Sequence, residues 1–217
     1  GSMMTAADFP GRLRELRRRK GRVVVVDPVR TRTAAASDEH LPIRPGTDAL
    51  WLGSLAHLVT QHTRLAAAEP WIDSAQWDQV TSGLADFSPE ATAVFTGIDA
   101  AVTRRIAQEL LDAPSAAVYG RMGTTTSGLT NDDAVTPMAT LASWLIDIIN
   151  IAIGSLDRPG GVMFPLPVAG GPSTEGTPGT GHGVQIPGRR RTRVRELPSA
   201  LGEFPASALA EEISLIF

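Results

Sequence analysis

The apolar positions fall into two kinds of run. Val23-Val24-Val25-Val26 is continuous and β-branched, which suits a strand buried on both faces, as in a parallel sheet. It stops at Asp27-Pro28, because Pro28 cannot donate to a ladder. Upstream, Arg12–Arg19 is a charged helical stretch that Lys20-Gly21 ends, glycine being a good helix terminator. Downstream, Glu39–Arg44 predicts a short second strand and Pro45-Gly46 a turn. Thr47 then caps a helix reaching about Ala68, with Leu50, Leu52, Leu55, Leu58 and Val59 as its apolar stripe. Further helices are predicted over Trp71–Leu84, from Ser88-Pro89-Glu90 onward, and over Asp99–Leu111, the last ending before Pro114. Ala116-Ala117-Val118-Tyr119 reads as another buried strand leading into Gly120, with a loop over Arg121–Asn131 behind it. The helix predicted over Ala134–Ile153 is the most apolar in the chain.

Beyond Asp157 the pattern changes. Gly160–Gly188 is rich in Gly and Pro with almost no periodicity, and is not expected to form its own core. Arg189-Arg190-Arg191-Thr192-Arg193 is a basic run, and Glu211–Phe217 looks like a strand cut short. The alternation of strands and helices predicts an α/β fold with a Rossmann-like parallel sheet flanked by helices. An irregular Gly/Pro-rich C-terminal arm follows, with the boundary between the two at 165/166.

Composition narrows the class. Of 217 residues, 42% are hydrophobic and 20% charged, as in a globular domain, and the net charge of -3 favours neither nucleic acid nor a disordered acidic tail. Only one of the 20 basic residues is a lysine, Lys20, which with the many alanines reflects genomic base composition. The absence of cysteine excludes a disulfide scaffold and any thiolate metal or cluster site within these residues. The longest apolar run, near Leu141–Ile153, is interrupted by Asp147 and Asn150 and is too short to span a bilayer. No signal-peptide pattern opens the chain, so the expectation is a cytoplasmic protein without membrane or nucleic-acid partners.

In doubly wound sheets the ligand sits at the carboxyl ends of the strands. Three segments are placed to meet there. In Asp27-Pro28-Val29-Arg30-Thr31, the carboxylate can accept from ribose hydroxyls or a guanine edge and Arg30 can reach phosphate. In Arg44-Pro45-Gly46-Thr47-Asp48, a tight turn exposes backbone N–H groups at a helix start, and Asp48 can bind the N1–H and N2 amine of guanine. In Gly120-Arg121-Met122-Gly123-Thr124-Thr125, paired glycines let a ligand approach the backbone. Taken singly each has a plain alternative. Asp-Pro is a common turn, and an Asp near a helix start favours the helix dipole. The paired glycines do not complete a dinucleotide-binding fingerprint. Of the four histidines, 40, 57, 62 and 182, only His57 has a helix-spaced neighbour, Gln61, so metal binding is not expected.

In combination the segments resemble a known family. Val23–Ala34, the stretch Asp38–Leu50 with its Arg44-Pro45-Gly46-Thr47-Asp48 turn, and Tyr119–Thr124 occur in family order. So do Leu141–Leu145 with Asn150, Gly154, Leu156, Asp157, Arg158, Pro159, Gly160 and Gly161. They are similar to the molybdopterin oxidoreductases of the formate dehydrogenase, nitrate reductase and dimethyl sulfoxide reductase group, over about residues 3–165. The resemblance implies a middle nucleotide-binding domain that holds molybdopterin guanine dinucleotide, with molybdenum or tungsten, in a parent enzyme, and that is inactive alone. It implies cofactor-binding roles for Asp27, Arg30, Thr31, Arg44, Gly46, Asp48, Gly120, Gly123 and Thr124, with no catalytic or metal-ligating residue. Asp27, Arg30 and Asp48 would serve the guanosine end, and Gly120, Gly123 and Thr124 the diphosphate or pterin. The implied partners are the remaining domains of the parent.

Residues Gly1–Ala6 resemble family sequence just after a first strand, so the sheet is expected to lack one strand and to self-associate through an unpaired edge. Two departures stand out. Ser127–Ala139 are extra, where relatives are shorter and carry Gln or Glu near the pterin; and Pro165-Leu166-Pro167 stand where formate-oxidising members have Arg, which puts formate in doubt as substrate. Two rival readings keep only part of this: an α/β domain of a nicotinamide or thiamine diphosphate enzyme, and a non-catalytic interaction domain docking through the Gly/Pro-rich arm and basic run.

Overall fold

The computed structural model describes residues 2–63, 71–126, 128–131 and 134–162. The predicted arm and terminal strand beyond 162 lie outside the described residues. The architecture is α/β and helix-rich: two strands paired in parallel lie against a core of helices.

After a short α1 (Ser2–Thr5), α2 (Phe9–Arg18) starts at Asp8, whose carboxylate accepts from the Gly11 amide. Its end corrects the sequence reading. The left-handed residue is Lys20, at φ 61°, and Gly21 follows it, its amide bonding the Leu16 carbonyl while Lys20 bonds Arg17. This is the paired closure of a Schellman motif. Strand β1 (Val24–Val26) pairs in parallel with β2 (Glu39–Leu41), in the register Val24↔Glu39, Val25↔His40, Val26↔Leu41. The crossover between them carries α3 (Arg32–Ala36), which Thr31 caps by accepting from the Ala34 amide.

The expectation that Val23–Val26 is buried on both faces is not met: all three residues of β1 are half-buried. The cause is a free edge. Val23 and Asp27 bond toward β2, through Asp38 and Leu41, so alternation turns the backbone groups of Val24 and Val26 away from it. No partner for them occurs among the described residues.

Helix α4 (Asp48–Thr60) is the hub, buried over most of its circumference. It ends earlier than predicted, and residues 64–70 lie outside the described set. Thr47 precedes it, yet its side chain does not cap: the hydroxyl donates to the Arg44 carbonyl at 2.7 Å. Around α4 lie α5 (Ser74–Gly83), α6 (Pro89–Thr96), α7 (Ala100–Asp112) and α9 (Ala139–Ala152). The first of these starts at a capping box, Asp73 with Gln76; Ser88 and Asp99 cap the next two. Leu52, Leu55, Val59, Leu145, Ile148 and Ile149 fill the centre, and Trp51 donates to Thr103 at 3.1 Å inside it.

Three further predictions change. Ala116–Tyr119 is not a strand. It runs beside α9, where the buried Asn150 side chain accepts from the Val118 amide at 3.0 Å and donates to its carbonyl at 2.8 Å. A side-chain amide thus occupies one edge of the segment as a neighbouring strand would. The loop predicted over Arg121–Asn131 holds α8 (Met122–Thr126) and β3 (Gly128–Asn131), and β3 pairs antiparallel with β4 (Ala134–Pro137). Within the extra residues of this chain Gly128–Asn131 and Ala134–Pro137 therefore pair as antiparallel strands, and α9 starts at Ala139, past Pro137, instead of at Ala134.

Candidate functional site

The turn that delivers Asp48 is built from sequence. Pro45 and Gly46 occupy the centre of Arg44–Thr47, Gly46 sits at φ 81°, and the Thr47 amide closes the turn on the Arg44 carbonyl. A positive φ at the third position is what glycine permits at no steric cost. Asp48 then opens α4 half-buried, bonded by its own amide and touched by the Thr124 hydroxyl, Oγ1 to Oδ1 at 3.5 Å. Burial raises its carboxyl above the ordinary carboxylate range; its own amide and Thr124 oppose the rise, and the Asp27 charge adds to it. Asp27, directly after β1, therefore lies within electrostatic reach of Asp48 at the start of α4.

Asp27 accepts from the Val29 amide at 2.9 Å through Oδ1, which folds Asp27–Val29 into a turn and leaves Oδ2 for another donor. His40 anchors the same point, its Nε2 lying 2.8 Å from the Asp27 carbonyl oxygen. Arg30 is exposed. Thr31 spends its hydroxyl oxygen on capping α3. Arg44 is turned to structural work: its guanidinium donates to the Val94 and Phe95 carbonyls and its amide to Thr96, closing the end of α6. The two glycines of the third segment differ. A Cβ at Gly120 would meet Ile146 Cδ1 at 2.5 Å, so this glycine lets the chain lie against α9. A Cβ at Gly123 would meet nothing within 4 Å, so no close packing requires glycine there.

The structure thus brings Asp48 and Thr124 into contact, with Asp27 within electrostatic range of Asp48, while Arg44, Thr31 and Gly120 serve the scaffold. Sequence reasoning left Asn150 and His40 out of the site. Asn150 fixes the backbone that leads into Gly120, and also donates to the Ile146 carbonyl at 2.8 Å. Its signal was visible: one amide inside the most apolar helix must find partners. His40 carries no comparable signal. Around the pair the surface is apolar and exposed at Val29, Tyr119 and Met122, with the Arg121 guanidinium 6.0 Å from the Tyr119 ring centroid. Two carboxylate acceptors, with the exposed Arg30 three residues past Asp27, suit a ligand with a donor edge and an anionic tail. No group of three or more potential metal ligands occurs among the described residues.

Comparison with known proteins supplies the context. The chain is 35% identical over 146 residues to the menaquinone reductase molybdopterin-binding-like subunit of Nitratidesulfovibrio vulgaris, covering 67% of this chain and 19% of that protein. It is 35% identical over 115 residues to the assimilatory nitrate reductase of Haloferax mediterranei, covering 50% and 16%. Over the matched stretch it belongs with the molybdopterin oxidoreductases. Formate dehydrogenase H of Escherichia coli is 24% identical over 109 residues, 50% of this chain and 15% of that one. The chain thus spans only 15–19% of the length of these three curated relatives. The fold of acetylene hydratase from Pelobacter acetylenicus superposes with a TM-score of 0.56 over 71% of this chain and 20% of that protein, at 20% identity. No family model matches.

Proposed function

We propose that this molybdopterin oxidoreductase region binds the guanosine end of molybdopterin guanine dinucleotide and, in a parent enzyme, orients that cofactor without reacting itself. The observation that carries the reading is the half-buried Asp48 carboxylate at the start of α4, touched by Thr124 and within electrostatic range of Asp27, in a chain related to molybdopterin proteins. Both oxygens of one carboxylate match the N1–H and N2 amine of guanine, and the second carboxylate matches ribose hydroxyls. Arg30, exposed on the same turn, would meet the diphosphate, with Gly123 and Thr124 near that group. These residues fit the nucleotide end of the group. When bound, the cofactor supplies the redox chemistry at its metal, while the protein supplies binding and orientation.

In this reading the sheet is Rossmann-like and β1 is an inner strand whose free edge takes a further strand. That strand comes from the remaining domains of the parent or, in isolation, from a second copy. The outward backbone groups of Val24 and Val26 and the continuous apolar run around them support it. The activity is tested in the full-length parent enzyme by Asp48→Ala, with molybdenum and guanine nucleotide measured after purification. Both should fall relative to protein; unchanged content would remove Asp48 from the cofactor site.

A further inference from the structure

Resting on the guanine reading, we propose that Thr124 is a positioning residue for base recognition. Its hydroxyl steadies one oxygen of Asp48 so that the carboxylate meets a guanine edge with both oxygens. Thr124 lies on α8 and Asp48 opens α4, 76 positions apart, and their side chains touch at 3.5 Å. An Asp side chain turns about a broad final torsion, so a carboxylate at a helix start has several ways to face the nearby amides. Its own amide holds one orientation; Thr124 adds a second donor from another element. Two donors from different directions define the carboxylate plane, where one leaves it to swing. Thr124 also directly follows Gly123, so the segment that would meet the diphosphate is tied to the residue that would meet the base.

The chemistry this controls is discrimination. Guanine presents N1–H and an N2 amine, whereas hypoxanthine lacks the amine, so the preference for GMP over IMP reports whether both carboxylate oxygens are in place. Hydrogen bonds to a charged acceptor are strong enough for that preference to be roughly tenfold or more. A contact that mattered only to folding would weaken GMP and IMP alike.

The test measures GMP and IMP binding by calorimetry on the wild-type chain and on Thr124→Val, Thr124→Ala and Thr124→Ser, with folding checked by circular dichroism. The expected result is a GMP preference in wild type and Thr124→Ser that collapses toward unity in Thr124→Val and Thr124→Ala. An undiminished preference in Thr124→Val or Thr124→Ala would overturn the role of Thr124 while leaving the guanine reading intact. Failure of the wild-type chain to prefer GMP at all would overturn the guanine reading and this inference with it.

Discussion

Around α4 the molecule is sealed: Leu55 and Leu145 are 1% exposed, and Val59 and Ile149 are 0%. On the side of the proposed site it is open: Val29, Tyr119 and Met122 are 66%, 69% and 73% exposed. The first region is held by close packing, which tolerates little change in volume. The second faces solvent and, in the proposed reading, a ligand. In that reading stability and binding occupy separate parts of this chain, and substitutions should separate them.

The largest expected effect comes from the sealed side. Leu55→Ala should cost about 3 kcal/mol by denaturant unfolding, the usual loss for truncating a buried leucine, with the GMP affinity of the folded fraction unchanged. A loss of affinity in the folded fraction would show that the two regions are not separable. Asn150→Leu should follow, at about 2 kcal/mol, because the Val118 amide and carbonyl lose the partners that replace a strand. Since Val118 leads into the Gly120 segment, this substitution should lower both stability and affinity. An affinity left untouched would show that the Asn150 tie does not reach the site.

Asp48→Asn should do the reverse, weakening GMP binding while stability at neutral pH holds or rises slightly. Burial raises the Asp48 carboxyl, so the folded state holds its proton more readily than the unfolded chain. That contribution is fully present below the ordinary carboxylate range, near 3.8, and is lost as pH rises through the raised value. Melts across a mildly acid pH series should lose this component in Asp48→Asn; an unchanged pH profile would place Asp48 in water. The smallest effect belongs to the edge. Val24→Pro removes an outward N–H without touching the bonds to β2, so the melting temperature should change little while any association seen by light scattering diminishes. Association that persists would place the interface elsewhere.

The elements with strong local signals were legible in the sequence. Ser88 starts its helix through a cap, and Pro45-Gly46 makes its turn, because short-range chemistry decides those positions. Ala116–Tyr119 was not legible, since an apolar run cannot reveal that its partner is one asparagine on a distant helix. The Ser127–Ala139 insertion was visible as extra length, but its strand pairing was not. At the site, the resemblance picked out Asp27 and Asp48, which the fold brings near each other. It also picked out Arg44, whose guanidinium the fold commits to the end of α6; sequence spacing carries no direction for so long a side chain.

The most direct test is a calorimetric titration of this chain with GMP and GDP, with AMP and NAD as controls, repeated on Asp48→Ala. Selective guanine-nucleotide binding that disappears in Asp48→Ala is the result predicted here. Binding of NAD in preference to GMP, or guanine binding indifferent to Asp48→Ala, would contradict it.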